Sequence, residues 1–231
     1  MDIILVPGLW LDSSSWDPIV APLEAAGHDV HALTMPGVGV PAPASSDIGI
    51  AQWVDAVVHE IDACEGPVVL VGHSGGGNVV WGAADARAER IERVVFVDAV
   101  PPPDGRGISE FDIVDGVIPF PGWDFFDEPD VADLDPQVRE QTAAKMASVP
   151  ARVPTDPLAL GNPARHRVPA TILSGGQDES ALRVALAEWG PWADEFAALE
   201  AVEVVTLGTG HWPQFSQPDL LAEKILAAIE R

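Results

Sequence analysis

Val68-Val69-Leu70-Val71-Gly72-His73-Ser74-Gly75-Gly76-Gly77 is a run of aliphatic residues that stops abruptly at glycine. Apolar side chains at consecutive rather than alternate positions are the pattern of a strand buried on both faces, as in a parallel sheet. The residues after it, Asn78-Val79-Val80-Trp81-Gly82-Ala83-Ala84, have the small and apolar character of a buried helix. Between the two, Gly72-His73-Ser74-Gly75-Gly76 fits G-x-S-x-G, in which a serine at a sharp strand-to-helix turn takes a strained backbone conformation that the flanking glycines leave room for. That turn lifts the hydroxyl out of the sheet. Glycine-rich turns also cradle phosphates or simply pack tightly, but Gly75-Gly76-Gly77 lacks the lysine of a P-loop and the second half of a dinucleotide fingerprint. The strand before it and the helix after it favour a nucleophile.

Working outward, the chain alternates strand and helix. Strands are expected over Ile3 to Val6, Asp29 to Leu33, Val68 to Val71, Ile91 to Val97, Val168 to Leu173 and Val202 to Leu207. Helical spacing of apolar residues appears at Trp16, Ile19, Val20 and Leu23, at Ile50, Trp53, Val54, Val57, Val58 and Ile61, and at Leu221, Ile225, Ala228 and Ile229. Repeated alternation predicts an α/β fold, a mostly parallel six-stranded sheet wound with right-handed crossovers and helices on both faces. The alternation breaks at about residues 101–167, a stretch rich in proline and acid that holds Phe111, Phe120, Trp123, Phe125 and Phe126. So long an interruption within one domain is usually functional. Residues 1–231 are therefore read as a single domain with a cap inserted at about 101–167, its aromatics divided between packing and a substrate pocket.

Composition sets further bounds. Thirty-six acidic against twelve basic residues give a net charge of -24, which leaves few donors for phosphates and argues against nucleic acid or an anionic membrane as partner. No apolar run approaches a membrane span, and Asp2-Ile3-Ile4-Leu5-Val6 enters a strand with no basic leader before it, so a cytoplasmic location is expected. Cys64 is the only cysteine and reads as a small buried residue; with no histidine pair at i, i+4 spacing, neither a metal nor any other cofactor is expected.

A serine hydroxyl needs a base within hydrogen-bond reach, and the base needs a group to orient it. Of six histidines, His28, His31, His59, His73 and His166 lie in or beside strands, a helix face or the serine turn itself. His211 alone lies in a glycine-flanked loop just past the carboxyl end of a strand, the edge where open α/β sheets build their sites. Asp98 and Asp178 are the candidate orienting carboxylates at that edge. Asp178 is preferred, because Gly175-Gly176 supplies a flexible turn and the order Ser, Asp, His is completed; Asp98 stays in contention, with Glu179 behind it.

Through Gly72-His73-Ser74-Gly75-Gly76, the post-strand Asp178, Gly210-His211, and Pro7-Gly8-Leu9 with Trp16 downstream, the chain resembles the α/β-hydrolases, in particular the small serine esterases that include plant methyl-ester hydrolases and hydroxynitrile lyases. The resemblance spans nearly the whole chain. It implies the α/β-hydrolase fold, attack by Ser74 on an acyl carbon, proton transfer by His211, and an oxyanion hole made by the backbone N–H groups of Leu9 and Gly75. Three departures stand out. Pro7-Gly8 replaces the His-Gly frequent in that family, the chain starts at what would be the family's third strand, and Gly175-Gly176-Gln177-Asp178-Glu179-Ser180 matches only loosely. The expected activity is hydrolysis of small, largely apolar carboxylic esters or lactones, since few basic residues could hold an anionic substrate. The alternative is a lyase or cyclase using Ser74 and His211 for proton transfer alone. The sequence does not speak to the oligomeric state.

Overall fold

The computed structural model describes residues 1–230. Six strands form one sheet in the order β2-β1-β3-β4-β7-β8: β1 (Asp2–Val6), β2 (Asp29–Ala32), β3 (Val68–His73), β4 (Ile91–Val97), β7 (Ala170–Ser174) and β8 (Val202–Thr206). Every pairing in it is parallel. A separate two-stranded ribbon joins β5 (Val117–Ile118) to β6 (Val149–Pro150) within the stretch between β4 and β7.

Alternation of side chains along each strand sends one set to each face, and both faces are covered by helices. Ile3, Leu5, Val69, Val71, Val95 and Val97 meet Ile19 and Leu23 of α1 (Asp17–Ala25) and Leu221 and Ile225 of the final helix (Pro218–Ile229). On the other face, Ile4, Val6, Leu70, Val94 and Phe96 pack with α2 (Ile50–Ala63) and α3 (Gly75–Ala86), including Trp53, Val57, Val80 and Trp81. All six residues of β3 are buried, so its unbroken apolar run reflects cover on both sides. Each such aliphatic side chain contributes about 1.5–3 kcal/mol relative to an exposed one. No helix of the described residues is long and apolar enough to cross a membrane.

Register decides where chemistry can occur. Val6 pairs with Gly72, His73 with Val97, and Val97 with Leu173, so β1, β3, β4 and β7 end together at one edge. The loops leaving that edge carry Leu9, Ser74, Asp98 and, after β8, His211. The stretch between β4 and β7 lies over this edge. There Phe111, Phe120 and Phe126 meet Trp10 edge-on at 4.9, 5.8 and 6.0 Å, and Trp123 meets Trp212 at 5.0 Å.

Candidate active site

Ser74 stands between β3 and α3 with φ 51° and ψ −125°, a conformation rarely held by a residue with a side chain. The close approach of the chain to itself explains the glycines on either side. A Cβ on Gly72 would come within 2.6 Å of the Gly76 carbonyl oxygen, and one on Gly76 within 2.6 Å of the carbonyl oxygens of Val6 and Pro7. The turn is fixed by the Ser74 N–H donating to Val97 O at 3.1 Å and the Gly77 N–H donating to Ser74 O at 2.8 Å. Although Ser74 occupies the N-cap of α3, its hydroxyl caps no backbone N–H.

The Ser74 hydroxyl instead meets His211 Nε2 at 2.9 Å. On the far side of the ring, His211 Nδ1 lies 2.5 Å from Asp98 Oδ2, while Asp98 Oδ1 accepts the Gly175 N–H at 2.7 Å. Both carboxylate oxygens are thus engaged, and the second bond holds the group in line with the imidazole. Asp98 follows β4 directly with φ 43°, a left-handed bend that an aspartate tolerates better than most residues. Burial opposes its ionisation, yet the hydrogen bond and charge of His211 and the Gly175 N–H prevail and hold its carboxyl below the usual carboxylate range. A partly buried aspartate with its proton off is the group that keeps a hydrogen on Nδ1 and leaves the Nε2 lone pair toward the serine.

This corrects the preference for Asp178. Its side chain accepts from the Ala181 N–H at 2.8 Å, as the N-cap of a helix over Glu179–Glu188. Glu179 pairs with Arg183 at 2.8 Å. Ser74 and His211 are brought together as expected, with Asp98 as the third member.

The His211 loop has its own supports. Its N–H donates to Asp130 O at 2.8 Å, and the Gly210 N–H to Asp133 Oδ2 at 2.8 Å, both acceptors coming from the long stretch between β4 and β7. From beneath, His73 Nε2 donates to the His211 carbonyl at 2.8 Å, and His73 Nδ1 accepts from the Gln214 amide at 3.2 Å. Complete burial, reinforced by the neighbouring His211, depresses the His73 pKa to about 3, so this ring stays neutral and serves as a strut. Neither the His73 bond nor the role of Gln214 is legible in the sequence, since nothing local marks a contact across 138 residues.

Leu9 and Gly75, the expected oxyanion donors, adjoin one another: a Cβ on Gly75 would lie 3.2 Å from Leu9 Cγ and 3.1 Å from Ile108 Cδ1. Among the described residues, no backbone carbonyl accepts a hydrogen bond from either N–H. A cavity of about 490 Å³ opens on the Asp98 side of the imidazole, lined by Val100, Gly175, Leu182 and Trp189 as well as Asp98 and His211. Ser74 itself is partly exposed.

The chain has relatives among known proteins. The chain is 36% identical over 109 residues to a carbendazim hydrolyzing esterase of Nocardioides sp. (strain SG-4G), covering 46% of this chain and 45% of that protein. It is 34% identical over 107 residues to the esterase PIR7B of Oryza sativa subsp. japonica, covering 45% and 40%. The matched stretch thus spans less than half the length of these relatives. Among solved structures, an extracellular alpha/beta-hydrolase from a Paenibacillus species superposes with a TM-score of 0.77 at 21% identity, over 99% of this chain and 98% of that one, a likeness of fold. The methylesterase MES16 of Arabidopsis gives 0.74 at 19% identity over 100% and 99%. A family model for the alpha/beta hydrolase family matches residues 3–224, and the chain belongs to that family.

Proposed function

We propose that the protein is a carboxylic ester hydrolase that cleaves small, largely apolar esters or lactones through an acyl-enzyme on Ser74. The observation that carries this reading is the unbroken line from Asp98 Oδ2 to His211 Nδ1 at 2.5 Å and from His211 Nε2 to Ser74 Oγ at 2.9 Å. In it, Ser74 Oγ attacks the ester carbonyl carbon as its proton passes to His211 Nε2. Asp98 stabilises the imidazolium, and the developing oxyanion is held by the N–H groups of Leu9 and Gly75, each worth about 3 kcal/mol of barrier. Collapse expels the alcohol, which takes the proton from His211. Water, deprotonated by the same nitrogen, then attacks the acyl-enzyme and frees the acid and Ser74.

The substrate class is inferred from the surroundings of the serine. Leu9 and Ile108 flank Gly75, and the stretch over residues 101–167 acts as the cap, its backbone and Asp133 anchoring the loop of His211. The names of the two relatives, a carbendazim hydrolyzing esterase and the esterase PIR7B, support ester hydrolysis as the reaction. The test is turnover of short-chain aryl esters by wild type and Ser74→Ala, with product identification and labelling by a fluorophosphonate. Expected are stoichiometric labelling of Ser74, acid and alcohol as products, and a loss of at least 10³-fold on the order seen when a nucleophile is removed. Unchanged turnover by Ser74→Ala, or labelling accompanied by elimination products only, would sink the proposal in favour of no serine chemistry or of a lyase respectively.

A further inference from the structure

At the opposite end of the sheet from Ser74, three side chains from separate elements converge: Asp2 at the start of β1, His31 in β2 and Cys64 just past the end of α2. One ligand atom from each lies within 4.8 Å of the other two. We propose that Asp2, His31 and Cys64 form a binding site for a divalent transition-metal cation of the zinc type. The chain pairs Asp2 with Asp29 and Ile4 with His31, so the His31 side chain falls on the same face as α2, and the helix delivers Cys64 to it.

Four features support the site. His31 Nε2 lies 3.4 Å from Asp2 Oδ1, close to the separation of two ligands on a tetrahedral ion with bonds of about 2.0–2.2 Å. Cys64 Sγ donates to the Glu60 carbonyl oxygen at 3.3 Å, and closing on the ion by roughly 1 Å exchanges that bond for a metal–sulfur bond. His31 Nδ1 lies 2.7 Å from Glu60 Oε1, the carboxylate–histidine arrangement that places the hydrogen on one ring nitrogen and aims the lone pair of the other at a metal. A cavity of about 340 Å³ opens over the group and is lined by Asp2, Asp29, His31, Glu60, Cys64 and Glu65 together with Ala63, with no lysine or arginine among them. Arg90, which packs behind, donates instead to the carbonyl oxygens of Ile61, Cys64 and Gly66.

One sulfur, one imidazole and one carboxylate make a donor set suited to zinc, cobalt or nickel and poorly matched to magnesium or calcium. Water completes the coordination, and binding releases the thiol proton of Cys64 to solvent. The ion would tie β2, an edge strand that among the described residues pairs with β1 alone, to both its neighbour and α2. No two of these ligands are close along the chain, so no spacing motif marks the group.

The test uses tag-free full-length protein stripped with a chelator. Titration with Co²⁺ should give a thiolate-to-metal charge-transfer band that saturates at one equivalent. Zn²⁺ at a hundredfold excess over its Kd should raise Tm by about 5–10 °C. Cys64→Ser should abolish the band, and both Cys64→Ser and His31→Ala should weaken zinc binding at least tenfold while melting in chelator within about 2 °C of wild type. Absence of the band in wild type overturns the site, independent of how any variant folds. So does an equal zinc-induced rise in wild type and Cys64→Ser, which would place the ion elsewhere. No rise at all would equally refute the proposal.

Discussion

Replacing Asp98 by asparagine separates the two candidate carboxylates on physical grounds. The carboxylate makes two bonds, accepting the Gly175 N–H at 2.7 Å and facing His211 Nδ1 at 2.5 Å. An asparagine can satisfy Gly175 only with its oxygen, because the reverse orientation sets an amide N–H against a backbone N–H and leaves both without an acceptor, at about 1–3 kcal/mol each. The amide NH₂ therefore faces His211 Nδ1, which must accept rather than donate. The ring hydrogen moves to Nε2, where it points at Ser74 Oγ 2.9 Å away, and the base can no longer take a proton. Losing the correct tautomer costs on the order of 10⁴ in kcat, or about 5 kcal/mol of barrier. Asp178→Ala, by contrast, removes the acceptor of the Ala181 N–H and should cost about 1 kcal/mol of stability, a drop in Tm of roughly 2–4 °C, with kcat unchanged. Steady-state hydrolysis of an aryl ester and thermal melting of both variants decide the matter. Near-normal turnover by Asp98→Asn beside a collapse in Asp178→Ala would refute the reasoning.

The depressed pKa of His73 makes stability depend on pH with a definite sign. The folded ring ionises only near pH 3 and the unfolded ring near 6.5, so between these values the unfolded chain binds more protons and stability falls as pH falls. From pH 7 to pH 5 urea unfolding should show a loss of about 2 kcal/mol that His73→Gln lacks; an identical slope in the variant would exclude His73 as its source. The lowered Asp98 carboxyl adds a loss of the same sign at more acidic pH, as the folded group protonates. Gly76→Ala should destabilise by about 1–3 kcal/mol and impair turnover as well, because the added Cβ meets the Val6 and Pro7 carbonyl oxygens at 2.6 Å and must displace the loop carrying Leu9; a fully active, fully stable variant would disprove that close approach.

The sheet was legible because burial on both faces writes itself into consecutive residues: Val68 to Val71 and Val94 to Val97 need no tertiary information to be read as strands. Ser74 and His211 were legible for a related reason, being placed by a turn pattern and by the end of a strand. The supports of His211 were not. His73, Gln214, Asp130 and Asp133 reach it through contacts that depend on how distant loops fold over one edge, and local pattern carries no trace of them. The carboxylate lies between these cases. Asp98 and Asp178 both come after strands that neighbour each other in the sheet, so position at the edge alone does not separate them. The chain immediately downstream of each residue does. Asp178 comes three residues beyond Gly175 and begins the helix of Glu179–Glu188, where the free N–H groups of the first turn claim a side-chain acceptor. Asp98 comes directly off β4, and the irregular chain after it, through Pro101-Pro102-Pro103, offers no helix to cap. Its left-handed bend then turns both oxygens toward the loops leaving β7 and β8, where only the Gly175 N–H and the His211 ring meet them. A strand-end acid at the head of a helix is held by that helix, whereas one that precedes irregular chain is left to find an imidazole.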